Sequence, residues 1–172
     1  MKLIVAFCKN RGIGFKNTMP WHMRNDFVNF KKLTVGNGNN AVIMGRKTWL
    51  SIPLKNRPLP KRENIVLSKN TAVNFNRSPH WTTFTQSLES AANYCKQKKI
   101  DDVWLIGGES IYKESLNKNL VNEIYITKID DDFECDTFFP DIPEDFALKE
   151  QSAVHMENNI NYHFEMYERD EK

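Results

Sequence analysis

Val103-Trp104-Leu105-Ile106-Gly107-Gly108-Glu109-Ser110 sets four apolar residues against two glycines and then changes period. It reads as a strand that stops at a sharp bend and continues as a helix over Glu109–Asn117. The same design stands earlier, where Ala41-Val42-Ile43-Met44 runs into Gly45-Arg46-Lys47-Thr48 and a helical pattern over Arg46–Ile52. Glycine lets the backbone bend and approach a ligand closely. A helix starting there offers unpaired N–H groups and the positive end of its dipole, which suits a phosphate. Either junction alone is an ordinary α/β turn, because short glycine motifs recur by chance. Two on adjacent parallel strands would suit a dinucleotide, with Arg46, Lys47 and Lys69 adding charge for an extra phosphate.

Outward from these junctions, Leu3–Cys8, Asn64–Leu67 and Glu123–Ile129 read as further strands, and Asn25–Leu33 and Thr85–Lys98 as helices. Leu88, Ala91, Ala92 and Cys95 fall on one stripe, the spacing of a helix lying on a sheet. Strands apolar on both faces suit a sheet covered on both sides. Near the C-terminus, Ile160, Tyr162, Phe164 and Met166 alternate with Asn161, His163 and Glu165, the period of an antiparallel strand with one wet face. The sum is α/β, a mainly parallel sheet with helical crossovers that ends in an antiparallel hairpin.

The 172 residues are 40% hydrophobic, enough for a chain of this size to bury roughly 70% of the surface its unfolded form exposes. Charged residues nearly cancel to a formal +2, so the low-hydrophobicity, high-charge signature of disorder is missing. The longest apolar run, Leu3–Cys8, falls far below the ~18 residues that span a bilayer, and Lys2 ahead of it makes no signal peptide. Cys8, Cys95 and Cys135 are odd in number and contain no CxxC pair, which reads as reduced thiols of a cytoplasmic protein. The dense basic cluster Lys96-Gln97-Lys98-Lys99 sits at a predicted helix end, where it complements the dipole rather than marking a nucleic-acid surface. The expectation is one domain over residues 1–172, cytoplasmic and monomeric, with neither nucleic acid nor membrane as partner.

Met19-Pro20-Trp21 precedes Asp26, Phe27 and Phe30. On a helix, Asp26, Phe30 and Leu33 lie at i, i+4 and i+7, which puts a carboxylate on an otherwise apolar face. Such a group is costly unless something cationic or hydrogen-bonding meets it. Desolvation raises its pKa, so it can hold or relay a proton near neutral pH. The plainer reading is that Asp26 merely favours the first turn of its helix; the residues alone leave both open. The other motifs are negative. His22, His80, His155 and His163 show neither HxxxH nor HExxH spacing, so no metal site is expected. There is no GxSxG elbow and no Walker lysine loop. Gly12-Ile13-Gly14 lacks the third glycine and the helix of a Rossmann fingerprint.

Taken together, Ile4-Val5-Ala6, Gly12-Ile13-Gly14, Met19-Pro20-Trp21, Asp26 with Phe30, and Met44-Gly45-Arg46-Lys47-Thr48-Trp49 resemble the dihydrofolate reductase family. So do Arg57-Pro58-Leu59-Pro60 with Arg62, Ile106-Gly107-Gly108, Tyr112, Thr127 and Asp136-Thr137-Phe138-Phe139-Pro140. The resemblance runs in order along essentially the whole chain. Some members of the family continue into a thymidylate synthase domain, which this chain ends too early to include. The resemblance implies a three-layer domain with a central mixed, mainly parallel sheet of about eight strands, flanking helices and a C-terminal antiparallel hairpin.

It also implies NADPH-dependent reduction of dihydrofolate to tetrahydrofolate in one-carbon metabolism, with antifolates as further ligands. The implied catalytic residues are Asp26, Trp21, Thr127 and Tyr112. Asp26 would hydrogen-bond the amidine-like edge of the pterin, Thr127 would orient it and Trp21 would reach it through water. Ile4, Val5, Phe27, Phe30, Ile52, Leu59 and Ile106 would wall the substrate, and Arg62 would pair with the α-carboxylate of its glutamate. The implied cofactor contacts are Ala6, Ile13, Gly14 and Met19 near the lid, Gly45, Arg46, Lys47 and Thr48 at the first junction, and Leu67, Ser68 and Lys69 after the next strand. Ile106, Gly107, Gly108, Glu109, Ser110, Ile111 and Tyr112 complete that set at the second junction. Gly107-Gly108 matches a cis peptide, and Gly14 to Trp21 a mobile loop held closed by Asp136.

Two departures bear on the cofactor. Many bacterial members carry a third glycine and an arginine where this chain has Glu109 and Ser110, and an acid there should weaken binding unless it points outward. A basic residue that often holds the extra phosphate aligns with Gln86, for which Arg46, Lys47, Ser68 and Lys69 compensate. The rival expectations are a pyrimidine-type reductase of the same architecture, also using NADPH, and a non-catalytic folate- or nucleotide-binding module.

Overall fold

The computed structural model describes residues 1–70 and 80–170. Along the chain it forms β1 (Lys2–Phe7), β2 (Gly12–Gly14), α1 (Arg24–Val35), β3 (Asn40–Gly45), α2 (Arg46–Ser51) and β4 (Arg62–Leu67). There follow β5 (Thr82–Thr85), α3 (Leu88–Gln97), β6 (Val103–Gly107), α4 (Glu109–Asn117), β7 (Glu123–Ile129), β8 (Thr137–Phe138), β9 (Phe146–Gln151), β10 (His155–Glu157) and β11 (Ile160–Arg169). The main sheet runs β10-β11-β7-β1-β6-β3-β4-β5, with β9 also paired to β11. β10 meets β11 at Ile160–Tyr162 and β9 meets it at Glu165–Arg169, so nine strands fill eight positions. The strands from β7 to β5 are parallel, and β11 lies antiparallel on β7.

Alternation along each strand builds the layers. Leu3, Val5 and Phe7 of β1, Ala41 and Ile43 of β3, Ile65 of β4 and Leu105 of β6 face α3 and α4, meeting Leu88, Ala91, Cys95, Ile111 and Leu116. Their neighbours Ile4, Val42, Met44, Val66 and Trp104 face the other way, toward Trp49 of α2 and Phe30 and Leu33 of α1. Both faces are therefore dry, which is why these strands read as unbroken apolar runs. Leu105, fully buried, would cost about 2–5 kcal/mol if cut to alanine. Among the described residues no helix is long and apolar enough to cross a membrane.

Three of the departures from the reading of the sequence have plain physical causes. α3 begins at Leu88 rather than Thr85, because Thr82–Thr85 pair in parallel with β4 as an edge strand. The helix starts only after Ser87, whose hydroxyl accepts from the N–H of Ser90. α1 runs longer than Asn25–Leu33 and stops at Gly36, whose φ of +50° ends it cleanly. Glu165, assigned by alternation to a wet face, is 7% exposed. β7 and β9 flank it on both sides, and its carboxylate meets His163 at 2.7 Å, Tyr167 at 2.9 Å and Lys128 at 3.7 Å. Polar partners inside the sheet replace the water that the alternation predicts.

Candidate active site

The carboxyl ends of β3 and β6, where the two glycine junctions sit, open on a cleft of about 2280 Å³. Single-ligand pockets usually hold ~300–1,000 Å³, so this one has room for two ligands side by side. At its floor the Thr127 hydroxyl on β7 donates to Asp26 Oδ1 at 2.5 Å. Thr127 is 4% exposed and lies between Ala6 of β1 and Phe164 of β11. Burial raises the Asp26 carboxyl above the ordinary carboxylate range, the Thr127 hydrogen bond opposes that rise, and the charge of Glu157 adds to it. The side chain does not cap its own helix. A merely helix-stabilising acid would serve its own N-terminus, but the N–H groups of Arg24 and Asn25 go instead to Glu157, at 2.6 and 2.9 Å.

Ile4, Val5, Ala6, Phe27, Phe30, Ile52, Leu59 and Ile106 all line the cleft around Asp26. Phe27 stands at the mouth, 42% exposed. Arg62, buried among them, donates through Nε to the Pro60 carbonyl and through Nη1 to the Thr34 hydroxyl, with its guanidinium 5.9 Å from the Phe30 ring. Both partners are neutral, and desolvation pulls its pKa down to about 10. Tyr112 is buried and donates to the Ile4 carbonyl at 2.9 Å; burial pushes its phenol far above the usual range.

The cofactor candidates line the same cleft: Ile13, Gly14, Met19, Gly45, Arg46, Lys47, Thr48, Leu67, Ser68, Lys69, Gly107, Gly108, Glu109, Ser110 and Ile111. Gly45 and Gly108 precede α2 and α4, and neither helix start is capped by a side chain. Gly107-Gly108 is a cis peptide. Gly107 has φ +115°, and a Cβ there would meet the Tyr112 hydroxyl at 3.0 Å, so only glycine fits the bend. The Glu109 carboxylate is engaged at the edge of the cleft, its Oε2 accepting from the Phe138 N–H at 3.3 Å and its Oε1 pairing with Lys113 at 3.8 Å.

Trp21 differs from the rest. Its ring packs in a separate cluster with Cys8, Met23, Ile129 and Tyr162 and does not line the cleft. Its indole Nε1 is buried without a hydrogen-bond partner among the described residues. The loop before it folds on itself through reciprocal Phe15–Thr18 backbone bonds, with Lys16 and Asn17 at φ +48° and +62°. Asp136, just before β8, pins that loop, since its N–H donates to the Gly14 carbonyl and the Lys16 N–H donates to its Oδ2, both at 2.9 Å. Lys31, Lys55 and Ser87 also border the cleft and were not foreseen; as ordinary polar residues on element surfaces they carry no signal in sequence. Among the described residues no cluster of His, Cys, Asp or Glu could hold a metal ion.

An α/β scaffold whose large cleft holds a desolvated acid on its floor defines a class of enzymes. A family model described as Dihydrofolate reductase matches residues 1–169. A dihydrofolate reductase of Sus scrofa is 41% identical over 98% of this chain and 97% of its own length. One of Aedes albopictus is 37% identical over 97% of this chain and 96% of its own. A viral dihydrofolate reductase of Saimiriine herpesvirus 2 (strain 488) is 41% identical over 98% of this chain and 84% of its own. The chain belongs to the dihydrofolate reductase family.

Proposed function

We propose that this chain reduces dihydrofolate to tetrahydrofolate with NADPH, using Asp26 as the buried acid that meets the pterin. The observation that carries the reading is the Asp26 carboxyl, desolvated, tied to Thr127 and facing a cleft to which Ile4, Val5, Ala6, Phe30, Ile52 and Leu59 give apolar walls. Its two oxygens suit the adjacent N–H donors of an amidine-like edge, which lock a flat heterocycle in one orientation. Phe27, Phe30, Ile52 and Leu59 would sandwich that ring and exclude water, which hydride transfer between two stacked rings requires. The Ile4 carbonyl, already serving Tyr112, keeps a second lone pair for the edge of the ring. The uncompensated guanidinium of Arg62 suits the α-carboxylate of a glutamate tail, with planar fork geometry that lysine lacks.

The residues present also fit the cofactor. Two uncapped helix starts at Gly45 and Gly108 offer N–H groups to a pyrophosphate. Arg46, Lys47 and Lys69 supply charge for the extra phosphate, and the contacts of Glu109 with Lys113 and the Phe138 N–H offset part of the repulsion its position threatens. When bound, NADPH supplies the hydride. Asp26 holds the ring by the edge far from the nitrogen to be protonated, so that proton arrives through water, while the protonated carboxyl polarises the ring and its ionisation slows the step. The indole N–H of Trp21, buried without a partner among the described residues, would reach the Asp26 carboxyl through a water rather than touch the ring. The Gly14–Trp21 loop closes over the nicotinamide, and Asp136 holds it closed.

The test follows the absorbance of NADPH after dihydrofolate is added, for the parent protein and for Asp26→Asn. The account requires turnover in the parent and severe loss in the variant at neutral pH. No turnover in the parent, or an unimpaired variant, overturns it. Comparable affinities for NADPH and NADH would overturn the choice of cofactor alone.

A further inference from the structure

Glu157 ends β10, beside a hairpin turn formed by Asn158 and Asn159, both at positive φ. That turn aims its carboxylate back across the molecule at α1. Glu157 Oε2 accepts from the Arg24 N–H at 2.6 Å and Oε1 from the Asn25 N–H at 2.9 Å. Asn158 adds an uncharged tie, donating to the His22 carbonyl at 3.1 Å. α1 has use for such a partner, because Met23 at its N-cap offers no side-chain acceptor. The first N–H groups of a helix carry its positive end and need acceptors. Asp26 stands in that same first turn, where an acid ordinarily turns back to its own terminus and is held ionised there.

We propose that Glu157 is a positioning residue for this site: its carboxylate occupies the positive end of α1 and so leaves Asp26 to face Thr127 and the cleft. The inference rests on the reading of Asp26 as the acid of the site. Glu157 acts in two ways of one sign. It places a negative charge near Asp26, and it neutralises the helix terminus that would otherwise favour the Asp26 anion. Around Asp26, β7 contributes the uncharged Thr127 and the β10–β11 hairpin contributes Glu157. Lys31 of α1 and Arg62 of β4 are cationic groups that also border the cleft. A hairpin remote in sequence thereby frees the acid to face the cleft and adds to the rise in proton affinity that burial imposes.

The test is a titration of the Asp26 carboxyl by carbon NMR in the free protein, paired with the pH profile of single-turnover hydride transfer. Glu157→Gln removes the charge while keeping the length, and should lower the Asp26 midpoint by ~0.2–0.7 pH unit, the range of helix-terminus charge effects. Above that midpoint the rate should fall by the matching ~1.5–5-fold. Glu157→Asp, which keeps the charge, should restore most of both. Asn158→Ala loosens the hairpin without touching charge and should leave the midpoint in place. If Glu157→Gln does not fold, Glu157→Ser removes the same charge and stands in for it. An unmoved midpoint in a folded Glu157→Gln or Glu157→Ser protein overturns the proposal, as does an equal shift in Asn158→Ala. A pH profile indifferent to Asp26→Asn would instead indict the reading of the acid itself, which separates the two failures.

Discussion

Thr127→Val removes the hydroxyl that donates to Asp26 at 2.5 Å while keeping a branched side chain in a position only 4% exposed. A hydrogen bond to a charged group is worth ~1.5–3 kcal/mol, and one pKa unit corresponds to ~1.36 kcal/mol, which sets a ceiling of ~1–2 units. Asp26 keeps some contact with the open cleft, where water replaces part of the lost bond, so the expected shift is about one unit. The sign follows from the donor. The hydroxyl stabilises the carboxylate, so its loss disfavours the ionised form and adds to the rise that burial already imposes. Single-turnover hydride transfer measured across pH should show its midpoint moving upward by about that amount, with thermal unfolding reporting that the sheet is intact. A midpoint that stays put, or moves down, in a folded variant would refute the view that Thr127 donates to an ionised Asp26.

Asp26→Asn should raise stability at neutral pH by roughly 0.5–2 kcal/mol while destroying activity, since it removes a desolvated charge. A carboxyl whose folded pKa lies above its unfolded one favours the fold at low pH and loses that contribution as pH rises through the folded value. The gain in Tm should therefore vanish in acid; a gain that persists there contradicts the assignment. Arg62→Leu should raise KM for dihydrofolate by ~10²-fold or more, with little effect on a pteridine lacking the glutamate tail. Equal losses on both substrates would show that Arg62 acts only through packing. Asp136→Ala deletes the acceptor of the Lys16 N–H and should weaken NADPH binding several-fold in fluorescence titration, leaving dihydrofolate affinity nearly unchanged. Unaltered NADPH affinity would remove Asp136 from the closure of the loop.

What could be seen in sequence follows from how local its cause is. Val103–Ile106 and Ala41–Met44 announce buried parallel strands because both faces are covered, and the glycines behind them mark where the chain must bend. Thr82–Thr85 and Phe146–Gln151 escape notice because they lie at sheet edges, where polar side chains are tolerated and no apolar run is needed. Glu165 misleads for the opposite reason: alternation places it in water, yet β9 and Lys128, distant in sequence, enclose and satisfy it. In the site, Asp26 stands out because an acid among Phe27, Phe30 and Leu33 is unusual on local grounds. Glu157 carries no such mark. Its partners lie more than a hundred residues away, and only the register of the terminal hairpin brings its carboxylate to Arg24 and Asn25.

The most direct measurement is the single-turnover rate of dihydrofolate reduction against pH for the parent protein and Asp26→Asn, with NADPH saturating. The parent should lose rate about tenfold per unit above the carboxyl midpoint. Asp26→Asn should run ~10²-fold slower or worse at neutral pH, with that titration gone. A variant that keeps the parent's rate and the same midpoint would show that the buried acid takes no part.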